Sequence, residues 1–566
     1  MHTRISQQKR VDGSVLSTLQ IVESVWDPKK KRSTVRVIHN CGRAEDPAVR
    51  DRMKRLARNI LRRVSPEEIV ESAPGSKVVA VWDYGVIYVL EKLWEQIGLK
   101  KRLPSLISDA TRQTLPVERS CFAMVANRCC APSSKMYCFE QWLREDAYVE
   151  GSETLELHHL YRGMDYFEKH KEEIEKEIYF SVADLFSLDV DLVFYDTTSL
   201  HFEIDEEDAG GSEEAMLHGS KLAGSKSYEA LRQRGHAKNK RTDVPQIVVG
   251  LAIARNGLPI RSWVFRGDTV DVETVKQVKQ DLKGWKLTRS LFVGDAGMVS
   301  QKNLKALSDG GGKYLVCMPM TSGGEVGETV LKRGGRYKRV VDGHLYVKEI
   351  TVGEGEGRRR YVVCYNPKEA KRQREHRQKI LEELREMLPK LKHSEEGDGM
   401  HTQRICKLRA SQRYGKYLCS TEGTLRIDSE KVRLARKRDG KFVVHSNDDS
   451  LSADDMARGY KQLAEVERAW RLLKSGIKIR PVFHWAPHRI CAHVSLTMIA
   501  FLLERLAENA CQDTWRNIRD DLKQIKLVQL LTPDGEVWQV TEPDRKSANR
   551  LKQLGISPPP PIIRTV

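Results

Sequence analysis

Two short apolar runs in the middle of the chain each end in an aspartate. Asp196 closes LVFYDTTS and Asp295 closes LFVGDAG, and small residues follow both acids. Runs of this length, rich in β-branched and aromatic residues, indicate buried strands. The ends of buried strands deliver polar residues to the rim of a sheet, so we expect both carboxylates at a rim.

A third acid, Glu467, lies in the helical pattern YKQLAEVERAWRLLK. Positions i, i+7 and i+14 of a helix drift by only about 40° in total. This spacing predicts that Tyr460, Glu467 and Lys474 share one face of one helix. The apolar stripe predicted to bury that helix consists of Leu463, Val466, Trp470 and Leu473.

Between the first two acids, the pattern predicts a hairpin and then a helix. Two apolar segments, Gln246 to Ile253 and Leu258 to Phe265, are joined by Ala-Arg-Asn-Gly. Asn-Gly is a strong short-range hairpin signal. A helix is predicted near Val272 to Leu282, before the run that ends in Asp295.

The chain carries a formal net charge of +18 over 566 residues, with 40% hydrophobic residues. The length and apolar content predict several domains with a buried core. A charge of this sign indicates a polyanionic partner such as nucleic acid. Three acids in so basic a chain suggest a site that holds Mg²⁺ against a phosphodiester.

Eleven cysteines are scattered and include no CxxC pair, which argues against a disulfide framework or a zinc ribbon. No signal peptide is evident, and the longest apolar stretch, Val494 to Leu503, is shorter than a membrane span. We therefore expect a soluble protein in a reducing cytoplasm.

Four side chains of ligand type cluster in HWAPHRICAH: His484, His488, Cys491 and His493. Their spacing matches no recurrent zinc site, and Pro487 interrupts a simple helix through the first two. We expect no metal there. Trp485 could stack on a nucleic-acid base or lie in the core, and we favour the core.

The helical pattern resembles a known family, the DDE transposases of insertion sequences, whose signature is Tyr, two residues, Arg, three, Glu, six, Lys. Tyr460, Glu467 and Lys474 fit that spacing, while Leu463 stands where the family usually has Arg. The stretches KNKRTDVPQIVVGLAIARNGLPIRSWVFRGDT and LKSGIKIRPVFHWAPHRICAHVSL are also similar, so the resemblance spans roughly 190–503.

The resemblance implies an α/β fold with a ribonuclease H-like mixed-sheet core, interrupted by a β-rich and helical insertion and preceded by a mostly helical accessory domain. It implies catalytic and metal-ligating roles for Asp196, Asp295 and Glu467, with Mg²⁺ as cofactor and Mn²⁺ as a substitute. Tyr460, Lys474 and Arg471 would bind DNA. The implied partners are the double-stranded transposon ends, target DNA and a second copy of the chain, in a prokaryotic, nucleoid-associated setting.

Composition, the pattern of apolar positions and the resemblance together divide the chain. We expect a basic segment at 1–75, a helical region at 76–187 that could bind DNA ends, core parts at 188–320 and 449–510, an insertion at 321–448, and a tail at 511–566. From Leu551 onward the tail should be extended or disordered.

Alternatives remain at this stage. An aspartyl-phosphate transferase needs an acid two residues after its aspartate, where this chain has Thr198. A catalytically inactive DNA-binding derivative and a hydrolytic nuclease with the same core are consistent with the motifs. Asp191 competes with Asp196, although it opens the apolar run. Asp268 and Asp271 are expected to cap the helix that follows them.

Overall fold

A computed structural model of the chain divides into two units, each described by itself: Met1–Val81 with Val528–Val540 and Pro560–Val566, and Trp82–Leu527 with Thr541–Pro559. The structure describes residues 2–9, 15–27, 32–49, 53, 77–106, 115–185, 191–208, 216–217, 220–221, 230–235, 241–283, 285, 287, 290–320, 324–340, 344–392, 399–421, 424–532 and 535–565. Lys29, Lys30 and Lys31, which belong to the predicted basic segment at 1–75, lie outside them.

Mixed helices and strands make this an α/β protein. The strands are β1 His2–Lys9, β2 Val15–Asp27, β3 Arg32–Arg43, β4 Lys77–Asp83, β5 Leu192–His201, β6 Met216–Leu217, β7 Ser220–Lys221, β8 Gln246–Ala254, β9 Pro259–Arg266, β10 Leu291–Gly294, β11 Lys313–Met318, β12 Lys338–Arg339, β13 Tyr346–Val352, β14 Arg359–Tyr365, β15 Leu418–Thr421, β16 Thr424–Ile427, β17 Lys441–Ser446, β18 Lys526–Thr532, β19 Gly535–Val540 and β20 Ile562–Thr565.

The α-helices include a long apolar one near the C-terminal end. They are α1 Gly85–Gln96, α2 Leu99–Ser105, α3 Val117–Cys130, α4 Lys135–Tyr137, α5 Leu157–Lys169, α6 Lys171–Leu185, α7 Asp271–Asp281, α8 Gln301–Ser308, α9 Pro367–Lys392, α10 Gly399–Ala410, α11 Ser429–Arg438, α12 Ala453–Lys461, α13 Ala464–Ser475, α14 Pro487–Cys511, α15 Trp515–Leu522 and α16 Arg545–Gln553. Helix α4 continues into a π-helix over Cys138–Asp146.

The central sheet has nine strands in the order β12-β13-β14-β17-β11-β10-β5-β8-β9. Strands β5, β8 and β9 are antiparallel neighbours, and β5, β10 and β11 run parallel. Strand β17 then pairs antiparallel with β11, and β14 pairs antiparallel with β17. The strands at 338–365, inside the predicted insertion, therefore continue the sheet that carries the two aspartates.

The predicted hairpin and the helix after it are confirmed. Strands β8 and β9 pair across the turn at Asn256 and Gly257, and Gly257 has φ +78°, a value that glycine adopts readily. All nine residues of β8 are buried. That continuous burial explains why this strand reads as an unbroken apolar run instead of an alternating one.

Helix α14 is the core helix of the larger unit. It packs against α3, α5 and β9, so the helices at 85–185 share its core. By length and composition it is the one helix in the described parts of the chain that could cross a membrane, but 94% of its apolar window is buried inside the protein. It is longer than the predicted apolar stretch because buried polar residues on either side of that stretch, such as His493, Glu504 and Glu508, belong to the same helix.

The smaller unit contains two sheets, β1-β2-β3 and most of β20-β19-β18-β4. The expectation that the chain is extended or disordered from Leu551 is wrong for Leu551–Gln553, which are helical, and holds for Ile562–Thr565, which are extended. Helix α16 runs to Gln553, where Leu551 is buried, and Ile562–Thr565 forms a strand that pairs with β19.

Gly250 leaves the space in which Tyr195, the residue before Asp196, is packed. A Cβ atom at Gly250 would lie 2.6 Å from the Tyr195 hydroxyl and 3.1 Å from the Phe265 ring. Tyr195 is fully buried, between Trp263 and Phe292. The β5–β8 pairing therefore needs a residue without a side chain at this position.

We predict that Gly250→Ala lowers the free energy of unfolding by about 1–3 kcal/mol, because the new methyl group overpacks the core. Gly334→Ala is the matched control, since nothing lies within 4 Å of the point where its new methyl group would be. Urea denaturation measures both variants. An unfolding free energy for Gly250→Ala equal to that of the unmodified chain would contradict the packing described here.

Candidate active site

The pairing of β5 with β10 brings Asp196 and Asp295 to neighbouring positions. Leu291 pairs with Leu192 and Val293 pairs with Phe194, in parallel register. The same offset, continued for two residues, sets Asp295 beside Asp196. Neighbouring strands lie about 4.8 Å apart, so the two carboxylates share one patch of the sheet.

Asp196 lies within its strand and not at its end. Strand β5 continues to His201, and Asp196 pairs with Leu251 of β8. The expectation that the acid closes the strand is therefore wrong, because TTSLH continues the β8 pairing with residues that are mostly buried. Asp196 itself is half-buried, whereas Asp295, one residue beyond β10, is exposed.

Tyr460 is held against Asp295. Its hydroxyl donates a hydrogen bond to Asp295 Oδ1 at 3.0 Å, and its ring packs on Phe442 with the centroids 5.4 Å apart. Burial, with added effects from Cys317 and Asp295, raises the pKa of Tyr460 far above its usual value. The phenol therefore stays protonated and acts as a donor to the carboxylate.

The prediction of one helix through Tyr460, Glu467 and Lys474 is wrong. Tyr460 lies on α12, whereas Glu467 and Lys474 lie on α13. Between the two helices the backbone forms tighter, 3₁₀-type turns. The N–H groups of Leu463, Glu465 and Val466 each donate a hydrogen bond to the carbonyl oxygen three residues earlier. Composition gave no signal of this break, since neither Gly nor Pro occurs there.

The predicted apolar stripe is confirmed on α13 and at the residue before it. Its members are all buried: Leu463, Val466, Trp470 and Leu473. Leu463, which stands at the position where an arginine was expected, is the residue before α13 and is only 7% exposed. An apolar side chain there packs in the core, so it contributes no cation to the surface.

Helix α13 packs against β5 and β8 and presents Glu467 and Arg471 to solvent. Lys474 is half-buried at its C-terminal end. Within the described residues, no three Asp, Glu, His or Cys side chains are grouped closely enough to hold a metal ion. The structure thus brings together the two aspartates, and does not gather Glu467 into one ligand set with them.

Cations surround the end of β5. Burial lowers the pKa of His201, and the charges of Arg241, Arg480 and Lys474 lower it further. Lys474 therefore lies within electrostatic range of the strand that carries Asp196. Arg241 is itself paired with Glu203 and Asp243.

Asp271 is a further acid tied to the site. The Thr197 hydroxyl donates a hydrogen bond to Asp271 Oδ1, which links the residue after Asp196 to the first residue of α7. The expected capping role is wrong for Asp271, because Val270 is the N-cap residue and no side chain caps the helix. Asp268 instead pairs with Arg266 at 2.9 Å. The sequence offered no signal for the Thr197–Asp271 contact, which spans 74 positions.

The histidine-rich segment does not form a metal site among the described residues. His493 is buried and its Nε2 lies 2.9 Å from the Ile479 carbonyl oxygen, while His488 lies 3.0 Å from Asp165. The assignment of Trp485 to the core is wrong. It is 48% exposed, and the Arg232 guanidinium lies 4.7 Å from its ring centroid.

Comparison with known proteins gives a family match. The family model described as Transposase DDE domain matches residues 217–503, just over half of the chain. The matched span includes Asp295 and Glu467 and begins after Asp196. No curated protein matches the chain.

Among solved structures, the chain is similar to a piggyBac transposase synaptic complex with hairpin DNA, determined by cryo-EM. The sequence identity is 11%, the match covers 77% of this chain and 76% of that chain, and the TM-score is 0.33. A TM-score of this size supports no detailed structural comparison.

We predict that Tyr460→Phe lowers the free energy of unfolding by about 1 kcal/mol, because Asp295 loses a hydrogen-bond donor. Tyr365→Phe is the control, since its hydroxyl has no hydrogen-bond partner within the described residues. Urea denaturation compares the two. Equal losses would show that the Tyr460 hydroxyl does not stabilise the fold through Asp295.

Proposed function

Because the chain belongs to the family of transposases with a DDE domain, we propose that it binds the terminal inverted repeats of an insertion sequence, cleaves them and transfers the cut strands into target DNA. The observation that carries this proposal is the parallel β5–β10 register, which aligns Asp196 with Asp295. Two aspartates on adjacent strands suit the binding of a cation at a phosphodiester.

We further propose that the core is ribonuclease H-like. The order β9-β8-β5-β10-β11, with three antiparallel strands followed by two strands parallel to β5, supports this assignment. Helices α7 and α8 follow β9 and β10 in the chain. The strands at 338–365 and 441–446 then extend this core on the β11 side.

The residues proposed to hold Mg²⁺, or Mn²⁺ in its place, are Asp196, Asp295 and Glu467. Carboxylate oxygens are the ligands these hard cations prefer, and the exposure of Asp295 and Glu467 leaves their oxygens accessible. When bound, the ions would lower the pKa of an attacking water or hydroxyl and neutralise charge on the phosphate.

The protein's own groups keep the carboxylates in place. Tyr460 orients Asp295 through its hydrogen bond, so we assign it a positioning role in addition to the DNA contact implied by the family signature. Asp271 positions the β5 backbone next to Asp196 through Thr197. Lys474 and Arg471, on α13 with Glu467, are proposed to bind DNA phosphates.

The remaining parts of the proposal follow from charge and chemistry. A net charge of +18 favours double-stranded DNA as the partner. Cutting and joining two ends together requires a dimer or a larger synaptic complex. We propose a cytoplasmic, nucleoid-associated setting, and a DNA-end-binding role for the helices at 85–185.

We predict that Asp196→Asn, Asp295→Asn and Glu467→Gln each reduce strand cleavage at least about 10³-fold while DNA binding persists, because each removes a proposed anionic ligand. The assay uses labelled duplexes that carry the inverted repeats flanking the gene, with Mg²⁺ or Ca²⁺. Cleavage and joining are read on denaturing gels.

Two matched controls separate the proposed roles from general charge effects. Asp191→Asn removes an acid that pairs with Arg255 at 2.7 Å, five residues before Asp196, and Glu465→Gln removes an acid from the same helix as Glu467. Both should retain cleavage. Cutting without joining by the unmodified chain would indicate a nuclease, and binding without cutting would indicate an inactive DNA-binding derivative.

A further inference from the structure

A groove of about 570 Å³ lies between β13, β14, β17 and the helices α9 and α11. Its walls combine aromatic rings with cations, and the residues used below are Tyr346, Tyr365, Arg374, Arg436, Lys437 and Lys441. We call it the tyrosine groove. No residue of the candidate active site lines it.

The groove lies at the same edge of the central sheet as Asp295. Tyr346 pairs with Tyr365, and Tyr365 pairs with Lys441. Strand β17 begins at Lys441 and runs antiparallel to β11, so its start lies at the edge where β10 and β11 end. The neighbouring Phe442 packs on Tyr460, whose hydroxyl reaches Asp295.

The cations of the groove outnumber its acids, and Asp439 is the acid that acts electrostatically on Lys441. Within the described residues, Arg374, Arg436, Lys437 and Lys441 form no ion pair. Asp439, the acid in the groove wall, is engaged by Arg377 through both oxygens, with Nη2 and Oδ2 2.6 Å apart. Glu369 is likewise paired, with Arg372 at 2.7 Å. Asp439 and Glu369 are therefore engaged in ion pairs with Arg377 and Arg372, and the groove keeps a net positive charge.

The tyrosine hydroxyls are available to a ligand. The Tyr346 and Tyr365 ring centroids lie 6.5 Å apart, and both residues are half-buried. Their hydroxyls have no hydrogen-bond partner within the described parts of the chain. Tyrosine hydroxyls and Arg or Lys side chains are the groups with which proteins hold DNA phosphates.

We propose that the tyrosine groove binds the phosphate backbone of duplex DNA, on the same molecule whose phosphodiester lies at Asp196 and Asp295. This inference rests on the proposed function. Arg374, Arg436, Lys437 and Lys441 neutralise successive phosphates, and the two tyrosine hydroxyls donate hydrogen bonds to phosphate oxygens.

A single DNA duplex can span the distance between the tyrosine groove and the two aspartates. Strand β14 is three strand spacings from β10, about 14 Å, and Tyr365 lies three residues beyond the level of Asp295, about 10 Å. The combined distance of about 17 Å corresponds to about five base-pair steps of 3.4 Å. Lys441 and Phe442 are successive residues of β17 and point to opposite faces of the sheet. The groove therefore lies on one face and Tyr460, which packs on Phe442, on the other. The duplex passes over the ends of the strands between them.

The test removes three exposed cations from the groove of the full chain, in the variant R374Q/R436Q/K437Q. Fluorescence anisotropy measures the Kd for a labelled 30-base-pair duplex of mixed sequence, in EDTA, between about 50 and 200 mM KCl. Each phosphate contact contributes about 0.9 to the slope of log Kd against log salt. The slope should fall by about 2–3.

A charge-matched variant controls for the loss of net charge. K379Q/R385Q/K390Q removes three exposed cations from the same helix, α9, outside the groove. Its slope should equal that of the unmodified chain. Y346F/Y365F, which keeps both rings, should weaken binding at least about 5-fold, as expected for two hydrogen bonds lost to phosphates.

The outcomes separate this inference from the proposed function. An equal fall in slope for both cation triples would overturn the groove as a phosphate site, and so would an unchanged slope for the groove triple. Either result leaves DNA binding by the unmodified chain intact. Failure of the unmodified chain to bind the duplex would overturn the groove and the proposed function together.

Discussion

The parallel pairing of β5 with β10 is the constraint on which the site depends. Both strands are buried on both faces, so a shift of register by one residue would exchange the side chains packed on the two faces and disrupt the packing of both. The same pairing fixes Asp196 and Asp295 as neighbours. Burial of the strands thus sets the geometry of two exposed or half-exposed carboxylates, and the cost of separating them is the cost of disrupting the core.

Much of the core could be predicted from the sequence, because its strands are continuously apolar and its hairpin carries Asn-Gly. The predicted bounds of β8, β9 and helix α7 agree with the structure to within a few residues, and the buried stripe of α13 follows from helical spacing. These features depend on short-range patterns. Family resemblance added the chemistry, which periodicity alone does not supply.

The failures share a different cause, since each depends on contacts between distant parts of the chain. The break between α12 and α13 falls at Gln462 and Leu463, and neither of these residues is a Gly or Pro that would predict it. Asp271 bonds to Thr197 across 74 positions. Trp485 is a large aromatic residue of the kind found in cores, yet it lies at the surface with the Arg232 guanidinium over its ring. A sequence pattern records which residues are apolar, and does not record which neighbour will cover them.

The sheet that holds Asp196 continues into β17 and β14, and this has a consequence for how such a chain can vary. Because β17 pairs directly with β11, the strands at 338–365 and 441–446 belong to the same sheet as the strands next to the two aspartates. Changes in length are tolerated best in surface loops, such as the one joining β13 to β14. Added residues within β11 or β17 would shift the ladder and move the insertion relative to Asp295. In related sequences we therefore expect insertions and deletions in the loops at the strand ends, whereas the paired strands should keep their lengths.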